Sequence, residues 1–189
     1  MLKGLGMTTE LSTDGARKHG LAPVGAREDA RLLILGSLPG DASLAAAHYY
    51  AHPRNHFWLL LEAVLEEPLA ALGYDDRLAL LGRRGVALWD VVGSARRGGS
   101  LDGALREVEA RDLGGFAATL PMLMAVAFNG ATGARLGRRM LGDTALALID
   151  LPSSSPALTL KLADKAQRWA ALKPYVIDGS ARPRPKPKP

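Results

Sequence analysis

The sequence predicts an α/β fold: a three-layer α/β/α sandwich with a four-stranded parallel central sheet. Two observations carry this expectation. Four short apolar runs, at 32–35, 86–92, 124–128 and 145–151, lack clear polar alternation, as strands do when both faces of a parallel sheet are covered. The segments between them repeat their apolar residues with helical spacing, and alternation of strand and helix is the signature of a parallel sheet.

In chain order, residues 1–28 mix Gly, Thr and balanced charge without periodicity and are expected to form a loose arm. The body then runs over 29–178. Its first strand, Leu32-Leu33-Ile34-Leu35, stops at Gly36-Ser-Leu-Pro-Gly40. A helix over 56–67 places Phe57, Leu60, Leu61, Val64 and Leu65 on one stripe, and a second covers 75–84. The second strand ends in Trp89-Asp90, and a helical pattern is read around 101–120. The third strand stops at Asn129-Gly130, and a helix follows over 132–141. The fourth strand opens into Pro152-Ser-Ser-Ser-Pro156, and the last helix covers 159–175. Residues 179–189 form a tail that alternates cation with proline. Every second residue there lacks an N–H, so polyproline II or disorder is expected.

Composition removes several function classes. The chain has no cysteine, which excludes disulfides, thiolate nucleophiles, cysteine zinc sites and iron–sulfur clusters, and with them the cysteine-ligated zinc deaminases. No phosphate loop of the Gly-x-x-x-x-Gly-Lys-Ser/Thr type and no Gly-x-Ser-x-Gly elbow is present. His48, His52 and His56 are spaced like ligands on one helix, but Pro53 interrupts that helix, and no metal or other cofactor is expected. An ester hydrolase built on one of the serines would need a nearby histidine, and none lies beyond His56. No apolar run reaches membrane length and the first seven residues lack a signal-peptide pattern, so a cytoplasmic protein is expected; a monomer is the simpler expectation. The net charge is +5, but the tail after Asp178 carries four cations and no acid, so it falls to +1 without the tail. Affinity for a polyanion must therefore come from a local patch or from the tail.

The strand ends hold the functional information. In a parallel sheet all four share one edge, where ligands bind and backbone N–H groups converge. Past Gly36-Ser-Leu-Pro-Gly40 the chain delivers Tyr49, Tyr50, His52, Arg54, Asn55 and His56 before returning to an apolar helix. Aromatic and hydrogen-bonding groups in that density suit a site that grips a flat polar ring near phosphate. A tyrosine stacks on a displaced base, or packs in the core. The serine loop lets the backbone approach a phosphodiester closely. Taken singly, Asp90 reads as a turn cap and Asn129-Gly130 as a turn dipeptide.

Gly36-Ser-Leu-Pro-Gly40, Tyr49-Tyr-Ala-His-Pro-Arg-Asn-His-Phe-Trp58, Leu88-Trp-Asp90, Phe128-Asn-Gly130 and Leu151-Pro-Ser-Ser-Ser-Pro156 together resemble the uracil-DNA glycosylase superfamily, nearest to its hypoxanthine-DNA (deoxyinosine) glycosylase branch. The resemblance spans about residues 21–175. It implies a DNA groove across the strand carboxyl edge and a monofunctional glycosylase of base excision repair. Such an enzyme flips out and excises deaminated bases, hypoxanthine and/or uracil, from DNA without a cofactor. The mismatch-specific uracil/thymine branch shares the His-Pro-x-Asn-x-Phe-Trp element and is the nearest alternative.

The resemblance also implies roles. Asn55 is the catalytic residue, and Ser37 stands where other branches carry a catalytic Asp or Asn. Gly36, Leu38, Pro39, Gly40, Tyr49 and Tyr50 line the base, with His52, Phe57 and Asn129. Ser153, Ser154 and Ser155 pinch the DNA phosphates, aided by Arg54. Leu158 is either a wedge that fills the vacated stack or a core contact at a helix start. The first loop holds no acidic residue, which leaves a catalytically weak damaged-DNA binder as a further alternative.

Overall fold

The computed structural model describes residues 15–179; the expected arm up to residue 14 and the tail beyond Gly179 lie outside them. The elements run β1 Arg17–His19, β2 Leu32–Gly36, α1 Asp41–Ala46, α2 Phe57–Leu65, α3 Tyr74–Arg83, β3 Val86–Asp90, β4 Val92–Arg96 and β5 Arg106–Ala110. They continue with α4 Leu113–Ala118, β6 Ala125–Asn129, α5 Ala131–Leu141, β7 Ala147–Leu151 and α6 Leu162–Trp169, which tightens into a 3-10 turn over Ala170–Tyr175.

The central sheet has four parallel strands in the order β3-β2-β6-β7, as the apolar runs predict. The chain adds β3 on one side of β2 and then crosses to add β6 and β7 on the other. The order therefore reverses at β2, which makes this edge a switch point where loops part and leave a crevice. Period-two alternation sorts the strand residues between two cores. Leu32, Ile34, Val86, Leu88, Ala125 and Ala127 pack with α2, α3 and α6 on one face. Leu33, Leu35, Ala87, Val126 and Phe128 pack with α4 and α5 on the other. Phe57 and Trp169 meet edge to face at 5.6 Å, tying α2 to α6. Each large side chain buried in this way contributes roughly 1.5–3 kcal/mol.

Three expectations are corrected. Residues 17–24 are not part of a loose arm: β1 pairs antiparallel with β4, and Val24 bridges Leu88. The second strand does not run on through Val92, and 101–120 is not one helix. After Asp90 the chain swings off the sheet, with the Val91 and Val92 N–H groups donating to the Gly36 and Ser37 carbonyls. It then forms a second, antiparallel sheet β1-β4-β5. Arg106–Ala110 is exposed throughout, so it has no apolar stripe to announce a strand. Cross-strand pairing decides its conformation, with Arg17 and Arg96 on Glu107 and Ser94 on Glu109.

The α5–β6 contact depends on a glycine. A methyl group at Gly137 would sit 2.3 Å from Phe128 Cε1, inside a full core. Gly137→Ala is expected to lose about 1–3 kcal/mol of stability through overpacking, measured by urea unfolding; an unchanged midpoint would refute this contact.

Candidate active site

The register fixes what meets at the carboxyl edge. Gly36 stands opposite Asp90, and Asn129 stands opposite Leu151, the residue before the serine loop. These ends border a cleft of about 520 Å³. Into it come Gly36, Ser37, Leu38, Pro39 and Gly40 from the first loop, Tyr49, Tyr50, His52 and Asn55 from the connection to α2, Asn129 from β6, and Ser153, Ser154, Ser155 and Leu158 from the last loop. With Asp90 from the end of β3 and residues 100–102, segments far apart in sequence thus line one cavity.

The first loop is held from behind. Arg97, at the end of β4 and only 1% exposed, donates to the Leu38 and Pro39 carbonyls. The hairpin turn adds Ser100 Oγ, which accepts the Asp41 N–H at 2.9 Å, and Asp102, whose Oδ1 accepts the Ser37 hydroxyl at 2.5 Å. Lys18 pairs with Asp41 and donates to the Gly99 carbonyl. The antiparallel sheet missed in the sequence therefore clamps the loop and brings an extra carboxylate to it.

The serine loop is anchored by its carbonyls. Asn129 and Ser154 exchange two 2.8 Å hydrogen bonds, Nδ2 to Oγ and backbone N–H to Oδ1. The His56 N–H donates to Ser154 O, Trp169 Nε1 to Pro152 O and Lys165 Nζ to Ser155 O. Gly130, at φ +106, lets the chain turn where an added Cβ would press on Ser153 at 3.2 Å. Ser154 is buried and is the anchor. Ser153 and Ser155 are partly exposed, and their Oγ atoms accept the N–H groups of Ser155 and Ala157. Each hydroxyl hydrogen is left to donate to an anion. Lys165 is fully buried beneath this loop, and burial holds its ammonium below the usual lysine range.

Among the connection residues, Asn55 Oδ1 accepts the Phe57 N–H at 3.0 Å at the start of α2. Its amide hydrogens are thus the part offered to the cleft. Tyr50 sits at φ +55, a conformation uncommon for a bulky residue and of the kind held at functional sites. Its ring lies 3.6 Å over Phe57, nearly parallel. Phe57, expected against the base, is fully buried under Tyr50 and does not line the cleft, because the stripe that makes it a core residue points it inward. Arg54 is exposed and also lies off the cleft. The histidines do not gather: His48 stacks on Tyr74 at 3.8 Å, His52 Nδ1 accepts the Arg54 N–H, and His56 stands at the start of α2. Leu158 is 40% exposed at the mouth rather than in the core, and Leu101, 64% exposed, borders the same mouth from the hairpin.

A family model for the uracil DNA glycosylase superfamily matches residues 22–173. The chain belongs to this superfamily. Among the superfamily's proteins, it is 36% identical over 157 residues to the "Hypoxanthine DNA glycosylase" of Methanosarcina barkeri, covering 82% of this chain and 96% of that one. It is 34% identical over 148 residues to the "Hypoxanthine DNA glycosylase" of Methanosarcina acetivorans, covering 77% and 91%. The solution NMR structure of a "putative Uracil DNA glycosylase" from Methanosarcina acetivorans superposes with a TM-score of 0.73 at 31% identity, covering 84% of this chain and 97% of that one.

Three carboxylates line this superfamily member's cleft and none is apparent in the sequence as a site residue: Asp41, paired with Lys18, Asp90 and Asp102. Asp102 was hidden in a segment read as helix. Asp90 read as a cap, yet it is 2% exposed and its Oδ2 has no partner. Burial raises the Asp90 carboxyl to about 7; a hydrogen bond from Tyr49 and the charges of Arg111 and Arg97 oppose this, and Asp102 adds to it. Burial and the Asp90 charge also push the Tyr49 and Tyr50 hydroxyls well above the ordinary tyrosine range. Well below pH 4 Asp90 is protonated whether the chain is folded or not. Between about 4 and 7 only the unfolded chain has released the proton, so folding loses stability as pH rises through that window. Relative to wild type, Asp90→Asn is therefore expected to gain on the order of 4 kcal/mol between pH 4 and pH 8. Urea unfolding at both values checks it; parallel pH dependences would refute the assignment.

Proposed function

We propose that this protein excises hypoxanthine, and uracil as a second substrate, from DNA by hydrolysing the bond between base and deoxyribose. A DNA glycosylase acting on deaminated bases is the activity its superfamily and relatives support. The observation that carries the reading is the joining of two features in one cleft: a cavity floored by Tyr50 and Asp90, and at its rim a serine loop whose hydroxyls are free to donate. A nucleobase beside its own backbone phosphate has this pair of demands.

Cleavage of the bond passes through an oxocarbenium-like sugar, and negative charge collects on the departing base. Bond breaking runs ahead of water attack, so a strong base matters less than a placed water and a stabilised leaving group. Asn55 is positioned to donate, because its carbonyl is engaged by the Phe57 N–H. We assign it to the leaving base or to the water beside it. The Ser37–Asp102 pair supplies an acceptor for that water from the hairpin side. A catalytically weak binder was the alternative while the first loop lacked an acid. Asp102 and Asp90 come to that loop from other segments and favour the enzyme.

Flipping costs a few kcal/mol, least at a mispaired base. Ser153 and Ser155 hold the backbone during that step, and Leu158 fills the gap left in the stack. The tail's cations add sequence-independent affinity.

Asn55→Ala is expected to lower single-turnover release of hypoxanthine from an inosine-containing duplex by about 10²–10³-fold, with duplex affinity within a few-fold of wild type. Full activity in this variant would remove Asn55 from the mechanism. A wild-type protein that binds such duplexes without releasing base would overturn the enzyme reading itself.

A further inference from the structure

Native interiors rarely leave buried polar atoms unpaired, yet two such atoms belong to side chains that line this cleft. They are Asp90 Oδ2 and Tyr50 Oη. Both side chains close on Gly36: a methyl there would sit 2.7 Å from Asp90 Oδ1 and 3.4 Å from Tyr50 Oη. Asp90 is in no ion pair among the described residues, although two guanidinium groups are near. Arg97 donates to the Leu38 and Pro39 carbonyls, and Arg111 donates to the Leu21 carbonyl with its guanidinium over the Trp89 ring, while the Nε of each has no partner.

We propose that Asp90 is a neutral hydrogen-bond donor to the carbonyl oxygen of the extruded base, the oxygen of the lactam edge shared by hypoxanthine and uracil. The inference rests on the glycosylase reading above and assigns a catalytic residue to it. As the glycosidic bond breaks, charge delocalises onto that oxygen, and the Asp90 O–H bond to it strengthens; the proton stays on Asp90. An ionised Asp90 would face the same oxygen with like charge. A carboxylic acid kept protonated by its surroundings serves as such a donor. The groups that face Asp90 are Arg97 at the end of β4, Arg111 after β5, Asp102 in the hairpin turn, and Tyr49 and Tyr50 after α1. Their balance with burial sets its carboxyl at about 7, so the donor is present below neutrality and disappears above it.

The experiment is single-turnover release of hypoxanthine from an inosine-containing duplex between pH 5.5 and 8, for wild type, Asp90→Asn and Asp90→Ala. Wild type is expected to slow toward a tenfold loss per pH unit above 7. Asp90→Asn keeps a donor that does not titrate, so its rate stays within about tenfold of wild type at pH 6 and is flat to pH 8. Asp90→Ala is expected to be slower by about 10²-fold or more at pH 6, with duplex binding and folded spectrum retained. Asp90→Asn sharing the wild-type profile, or Asp90→Ala keeping the wild-type rate, would overturn the assignment. Either result still leaves a glycosylase, whereas no base release by wild type at any pH rejects the enzyme reading instead.

Discussion

Parallel register is the constraint on which the rest of this molecule depends. Side-by-side strands of five residues put Gly36 beside Asp90 and Asn129 beside Leu151. The two carboxyl-edge pairs then serve different ends. At the first, the absence of a side chain on β2 makes room for the carboxyl of β3 and for the Tyr50 hydroxyl. At the second, an amide on β6 reaches across to the loop that β7 opens and grips Ser154 at both backbone and side chain. A slip of one residue in either pair would reverse which face each side chain takes and dissolve both arrangements.

The two halves of the cleft are joined by backbone as well as by sheet. The His56 N–H bonds Ser154 O directly, so the start of α2, which sets Asn55, is fixed relative to the serine loop. Behind that loop, Lys165 and Trp169 take two more carbonyls. With the carbonyls drawn inward, the loop presents donors outward, the polarity a phosphodiester requires. Removing a buried lysine from water is unfavourable, and the Ser155 carbonyl that Lys165 meets offsets part of that cost; the charge it leaves under the loop favours an anion above it.

The sequence was legible where local pattern and tertiary demand agree. Unalternating runs such as Leu32-Leu33-Ile34-Leu35 are strands because two cores need both of their faces. The stripe Phe57-Leu60-Leu61-Val64-Leu65 is a helix because α6 covers it. Where the two disagree, the pattern misleads. The exposed strand Arg106–Ala110 has no apolar signature, and its cross-strand ion pairs are visible only once β1 and β4 are beside it. Phe57 belongs to a site motif and to a core stripe at once, and the core takes its side chain while Tyr50 covers its face. Asp90 lies in one motif and Asp102 in none, and nothing short of the folded chain brings them to the first loop.

Those two carboxyls answer the question that the first loop raises by lacking one. They lie in unlike surroundings: Asp102 is partly exposed and accepts the Ser37 hydroxyl, whereas Asp90 is enclosed without an ion pair. One environment favours an acceptor, the other a protonated donor. A reaction that forms a cation at the sugar and an anion at the base needs one of each, on opposite sides of the breaking bond. On that proposal, dividing these tasks between the end of β3 and the hairpin turn also explains why a loop without an acid can still belong to an enzyme. On the proposed assignment, the chemistry that a single residue of that loop carries in other branches is spread over the sheet edge and the hairpin that clamps it.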